Sequence, residues 1–223
     1  GWWTTYIIAD IVKWQEKTYH QDMKKTIYFI QDYEPGFYPW SSRYLMADST
    51  YRNEIPTIAI FNSKLLYDFF KANGYAFDQE YFFDPVLNDS LKAVLQNKKG
   101  TVPRKKQIML YGRPSTQRNA FELIVESLQK WVTMQPDVAE WRIISAGEKF
   151  DDIDLGNGMR IEAVGKMSLE EYATTMLETK AAISLMVSPH PSYPPLEMAT
   201  FGIKVITNAY GSKDLSSFSD NIV

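Results

Sequence analysis

Apolar residues in the first part of the chain fall into short continuous runs set between polar, glycine-rich and proline-rich stretches. Thr26–Ile30 and Thr57–Phe61 each read as a buried strand, five residues rich in β-branched and aromatic side chains. The opening Gly1–Ala9 is strand-like material of the same kind. Between the two runs lies a loop of prolines, glycine and aromatics. Ser63 then precedes Leu65, Leu66, Phe69 and Phe70 at helical spacing, and Asn73-Gly74 supplies the stop, so a capped amphipathic helix is expected.

Residues 88–106 change character. They are polar and basic, and Asn97 to Lys106 offers few apolar side chains to a core. A connection between two domains is expected there, dividing the chain into 1–98 and 99–223; the alternative is a solvated loop inside one domain. Beyond it the alternation is regular. Strands are expected at Gln107–Tyr111, Trp141–Ala146, Met159–Glu162, Ala181–Leu185 and Val205–Thr207, and helices at Ala120–Trp131, Ser168–Leu177 and Leu196–Phe201. This rhythm predicts a parallel sheet covered by helices, whose ligands bind beyond the carboxyl ends of the strands.

Two strand-to-helix turns carry candidate chemistry. In Tyr111-Gly112-Arg113-Pro114-Ser115-Thr116-Gln117-Arg118-Asn119, Gly112 permits a tight turn and close approach of a ligand, while Arg113 and Arg118 put two permanent cations beside a helix N-terminus, a combination suited to a diphosphate. Two solvated arginines on a plain turn are the alternative. In Ser188-Pro189-His190-Pro191-Ser192-Tyr193-Pro194-Pro195-Leu196-Glu197, Pro195 suits a first helical turn and Glu197 could accept two hydroxyl hydrogen bonds from a ribose. On local grounds alone, complementing the helix dipole is the simpler explanation of Glu197.

Composition removes several alternatives. A net charge of -3 with both signs interspersed gives no one-sided basic field, so nucleic acid is not an expected partner. With no cysteine and only His20 and His190, neither disulfides nor a thiolate or histidine-built metal centre is expected. No apolar run approaches the roughly 20 residues of a membrane-spanning helix. The chain opens without an initiator methionine and closes on Ile222-Val223, so further sequence is expected at one or both ends.

From Lys106 onward, the order and spacing of these two segments resemble the donor-binding half of family-four-type GT-B glycosyltransferases. The resemblance implies an α/β fold of two Rossmann-like parallel-sheet domains, the N-terminal one incomplete. By position, it implies that Gly112, Arg113 and Arg118 hold the donor diphosphate, that Glu197 binds the nucleotide ribose, and that Gly165 forms the turn near the base. Tyr193, Leu196, Ser188 and His190 complete the expected donor site. One departure stands out: many members carry a sugar-contacting glutamate eight positions before the ribose-binding one, and Pro189 stands there in this chain. His190 or Ser188 is the expected substitute.

The N-terminal part, through Trp2-Trp3-Thr4-Thr5-Tyr6, Tyr28-Phe29-Ile30-Gln31-Asp32-Tyr33-Glu34-Pro35-Gly36-Phe37-Tyr38 and Phe61-Asn62-Ser63, resembles a subgroup of bacterial rhamnosyltransferases that build surface polysaccharides. That likeness implies a deoxythymidine-diphosphate-rhamnose donor, or otherwise a uridine-diphosphate sugar, and a saccharide acceptor. Gln31, Asp32 and Glu34 follow a strand and could bond acceptor hydroxyls, Asp32 and Glu34 being candidate bases, while Tyr33, Phe37, Tyr38 and Trp40 could stack on sugars or pack together. No metal or other cofactor is expected, because the arginines would neutralise the departing diphosphate. A cytoplasmic enzyme is expected, at the inner face of the membrane if it contacts one peripherally. The rivals are a sugar-nucleotide epimerase of the same fold and a noncatalytic nucleotide-sugar-binding scaffold.

Overall fold

The computed structural model describes residues 1–52, 54–97 and 102–223, so the Lys98–Thr101 portion of the expected connection lies outside the described residues. By internal packing the chain forms two units. The first comprises Gly1–Pro85 with two short later stretches, Ser188–Pro191 and Tyr210–Lys213; the second comprises Val86–Val187, Ser192–Ala209 and Asp214–Val223.

In the first unit, strands β1 (Thr26–Ile30), β2 (Thr57–Phe61) and β3 (Gln79–Phe82) make a parallel sheet in that order. One face of this sheet packs on α3 (Lys64–Ala72), which starts where expected: the Ser63 hydroxyl accepts from the Leu66 amide at 3.1 Å. Ile30, Phe61, Leu66 and Phe70 are buried together with Tyr33, Tyr51 and Tyr75. Tyr33 is therefore a core residue, its hydroxyl 2.9 Å from that of Tyr75. β1 is not buried throughout, since Ile27 and Phe29 on its other face are exposed. The period-2 geometry of a strand puts those two side chains opposite Ile30's face only when alternate residues are compared, which a continuous apolar run conceals.

Gly1–Ala9 is not a strand. Trp2–Tyr19 forms helix α1, ended by His20 in the left-handed conformation. β-branched and aromatic residues favour strands by local propensity, but tertiary contacts override it here. The Trp2 amide donates to Glu34 at 2.5 Å, its indole donates to Tyr38 at 3.0 Å, and Tyr6 bonds Ser49 on α2 (Ser42–Ser49) at 2.7 Å.

The second unit begins with α4 (Asp89–Asn97), which buries Leu91 and occupies part of the stretch read as a polar connection. Val94 and Leu95 on the same helix are half-buried, and with Leu91 they fall at helical spacing, a pattern that overall composition conceals. The mixed sheet follows the order β6-β7-β5-β4-β8-β9, with β4 (Lys105–Gly112), β5 (Arg142–Gly147), β6 (Ile153–Gly156), β7 (Met159–Gly165), β8 (Thr179–Ile183) and β9 (Lys204–Ile206). All neighbours are parallel except β6 and β7, an edge hairpin turned by Asn157-Gly158, both at positive φ. Helices α5 (Phe121–Met134), α6 (Leu169–Glu178) and α7 (Tyr193–Thr200) connect the strands. From β4 the chain builds outward through β5 and β7, then returns to β4's other side with β8. That reversal creates a crevice at the carboxyl ends of the central strands.

Candidate functional site

Two glycines at the paired ends of β4 and β5 let the backbone come close at this crevice. Gly112 sits opposite Gly147 in the sheet register. A Cβ at Gly112 would lie 2.0 Å from the Ser145 hydroxyl oxygen, and one at Gly147, whose φ is +123°, would lie 2.7 Å from the Gly112 carbonyl oxygen. The Gly112 carbonyl instead accepts from the Glu148 amide at 2.9 Å. These contacts hold the two strand ends together at the point where their loops begin.

The space that opens there is a cavity of about 700 Å³ within the second unit. Its wall carries Tyr111, Arg113 and Ser115 after β4, Gly147 and Glu148 after β5, and Lys166 and Met167 after β7. α6 adds Leu169 and Tyr172, and α7 adds Tyr193, Pro194 and Glu197. The lining thus carries two cations, Arg113 and Lys166, and two acids, Glu148 and Glu197. Glu148 is occupied differently, accepting from the Ser115 amide at 3.1 Å and so fixing the turn that presents Arg113.

Glu197 lies beyond the first turn of α7, which contains no acidic residue, so complementing the helix dipole does not account for it. Burial pushes its carboxyl above the usual range, partly offset by the neighbouring Tyr172 hydroxyl. Pro194 and Pro195 occupy the second and third helical positions, where a missing amide hydrogen costs nothing. Ser192, just ahead of them, has φ +65° and ψ +134°, a strained conformation for a residue with a Cβ.

The structure brings Arg113, Tyr193 and Glu197 to the cavity wall, with Gly112 buried behind Arg113. Gly165 ends β7 at φ +76°, and it aims the next residue, Lys166, into the cavity. Arg118 and Leu196 are not on the wall. Arg118 lies in a single 3₁₀ turn before α5, and its carbonyl accepts from the Val187 amide at 2.7 Å. Sequence reasoning does not single out Lys166 or Tyr172; a lysine directly after a strand-ending glycine is the available signal for the first.

Ser188 and His190 pack in the first unit. The Ser188 hydroxyl donates to Asp32 and accepts from the His190 amide, and His190 Nε2 is 3.0 Å from the Asn62 amide nitrogen. Lys213, 1% exposed, lies near Asp32; burial lowers its pKa to about 8, against the opposing attraction of that carboxylate. Of the other two residues expected on the acceptor side, Gln31 is exposed and Glu34 accepts from the first amide of α1. Trp40 is 77% exposed and tilts against Tyr44 at 4.9 Å.

Comparison with known proteins identifies the family and the fold. Residues 106–223 match the family described as WsaF, C-terminal domain, and residues 1–64 match WsaF, N-terminal domain. The chain belongs to the WsaF family. Its relatives include the O-antigen biosynthesis protein RfbC of Myxococcus xanthus, 29% identical over 182 residues, which are 81% of this chain and 14% of that protein. Among solved structures, sucrose-phosphate synthase from Thermosynechococcus elongatus aligns over 97% of this WsaF-family chain and 56% of its own, with a TM-score of 0.61 and 15% identity. WaaG, a glycosyltransferase involved in lipopolysaccharide biosynthesis, aligns over 95% and 66%, with a TM-score of 0.57 and 14% identity. The fold is that of GT-B glycosyltransferases, and the chain spans about half the length of the first of these structures and a small part of RfbC. Among the described residues, no helix of this WsaF-family chain is long and apolar enough to cross a membrane.

Proposed function

We propose that this chain is part of a glycosyltransferase that moves a sugar, rhamnose in our reading, from a nucleoside-diphosphate donor to a saccharide acceptor during surface-polysaccharide synthesis. The observation that carries it is the cavity at the carboxyl ends of β4, β5 and β7, whose lining brings Arg113, Lys166 and Glu197 to one space. Arg113 and Lys166 would hold the diphosphate and offset the charge that grows on it as the glycosidic bond breaks. Glu197 would accept hydrogen bonds from the pentose and so fix the nucleoside while the sugar end stays free to react. Family membership and the names of RfbC and WaaG support polysaccharide synthesis as the setting; rhamnose and a deoxythymidine diphosphate donor rest on the N-terminal sequence resemblance.

In this reading leaving-group stabilisation needs no metal ion, and the reaction takes place on the cytoplasmic side, where nucleotide sugars are made. The test is calorimetric titration with deoxythymidine diphosphate and uridine diphosphate without added metal, on the wild type and on Arg113→Ala, Lys166→Ala and Arg118→Ala. Saturable binding that Arg113→Ala and Lys166→Ala each weaken about tenfold or more, the size of one lost charged hydrogen bond, would support the donor site. An effect confined to Arg118→Ala would move the diphosphate to the turn before α5. Absence of binding to well-folded protein would count against a donor site in this chain.

A further inference from the structure

Tyr172 has no part in the reading above, yet its placement is costly. It stands near the start of α6, whose N-terminus is held by a reciprocal capping box between Ser168 and Glu171. This fixes the first turns of the helix and directs Tyr172 to the cavity wall. The hydroxyl is shielded from solvent and has no hydrogen-bond partner in the structure. It nonetheless lies close enough to the Glu197 carboxylate for each group to perturb the other. A buried phenol that gives up water without gaining a bond is destabilising, and a phenylalanine would pack there without that loss. The hydroxyl therefore has a use that unliganded packing does not supply.

The chemistry of the pair suggests the use. A carboxylate has two oxygens. A ribonucleotide offers it two neighbouring hydroxyls, whereas a 2′-deoxyribonucleotide offers one, leaving the second oxygen buried and short of a donor. Resting on the donor-site reading, we propose that Tyr172 is a positioning residue: with nucleotide bound, its hydroxyl donates to one Glu197 oxygen and leaves the other to accept a single pentose hydroxyl. The site then takes 2′-deoxyribonucleoside diphosphates as readily as their ribose counterparts. It has no need of a 2′-hydroxyl, because the protein supplies the donor that the deoxy sugar lacks.

Uridine diphosphate and 2′-deoxyuridine diphosphate isolate the point, since base and diphosphate are the same. Calorimetry on the whole chain should give wild-type affinities for the two within about threefold. Tyr172→Phe should weaken the deoxy nucleotide about tenfold, the loss of one hydrogen bond to a charged group, and the ribose nucleotide less, because its 2′-hydroxyl takes the phenol's place. A widened ratio is a result that a merely structural tyrosine would not produce; such a residue would weaken both nucleotides equally. Because the buried hydroxyl is unbonded, the variant should melt no lower than the wild type, and the wild-type ratio tests the proposal even if it does not. Wild-type preference for the ribose nucleotide of tenfold or more, or an unchanged ratio in Tyr172→Phe, overturns the proposal while leaving the donor site standing. Failure of the wild type to bind either nucleotide overturns both.

Discussion

Replacing Gly112 by alanine should be expensive, and the structure says which atom makes it so. The added methyl would sit 2.0 Å from the Ser145 hydroxyl oxygen, 3.0 Å from the edge of the Phe121 ring and 3.3 Å from the Ser145 Cβ. Ser145 is completely buried on β5, so it has no solvent to swing into, and its oxygen forms no hydrogen bond. Overpacking of this kind costs about 1–3 kcal/mol. A value near 2 kcal/mol lowers the melting temperature of a chain this size by about 4–8 °C. Ser145→Ala removes the offending oxygen and sacrifices no bond, so alone it should be neutral or slightly stabilising. Combined with it, Gly112→Ala retains only the contacts at 3.0 Å and beyond, and its cost should fall below about 1 kcal/mol, a coupling of about 1–2 kcal/mol in a double-mutant cycle. Urea denaturation of the four proteins, followed by tryptophan fluorescence, measures this directly. If Gly112→Ala costs the same with alanine at 145 as with serine, close approach of β4 and β5 is not why glycine is needed.

Further outcomes follow from other residues. Glu197's raised pKa means that its charged form, the one that accepts hydroxyls, is lost at higher pH than for an exposed glutamate; nucleotide affinity should therefore fall on acidification more steeply in the wild type than in Glu197→Gln, which should bind weakly and respond only to protonation of the nucleotide's own phosphate. Lys213, with a folded pKa of about 8, should make stability rise from pH 8 to 10, because there the unfolded chain binds the proton and the folded one does not. The gain is at most roughly 3 kcal/mol, and Lys213→Met should remove this rise in parallel denaturation curves. Ser192→Gly should relieve the strained backbone ahead of α7 and add up to about 1 kcal/mol to stability, read by calorimetric melting. Ser63→Ala should cost about 1 kcal/mol through loss of the α3 cap, with urea denaturation as the readout.

Much of this layout was legible before any coordinates. β1 and β2 fall on the expected residues, and Ser63 caps α3, because a strand bounded by polar residues and a serine ahead of a 3.6-residue apolar rhythm are local signals. α1 was not legible, since what makes Trp2–Tyr19 helical includes Glu34, Tyr38 and Ser49, all distant in sequence. The β6–β7 hairpin was missed although Asn157-Gly158 announces it; the flanking strand is only four residues long. In the cavity, Arg113 and Glu197 could be placed by their relation to strand and helix ends. Arg118 and Lys166 show the limit of that logic: both are cations following strands, and which one faces the cavity depends on a 3₁₀ turn in one case and a glycine of positive φ in the other. Ser188 and His190 depend on longer-range packing still, for they lie just ahead of α7 in sequence and pair with Asp32 and Asn62 in space.

The discontinuity of the first unit bears on how the protein is made. A ribosome delivers residues in order, so β1, β2 and β3 emerge long before Ser188–Pro191 and Tyr210–Lys213, the stretches that complete their unit. Until then Asn62 lacks His190, Asp32 lacks Ser188, and Phe69 lacks the backbone of Gly211 that packs against it. The nascent N-terminal portion therefore waits, with these partners missing, until residues 188–213 have been synthesised. Cutting the gene after Pro85 would make that waiting state permanent.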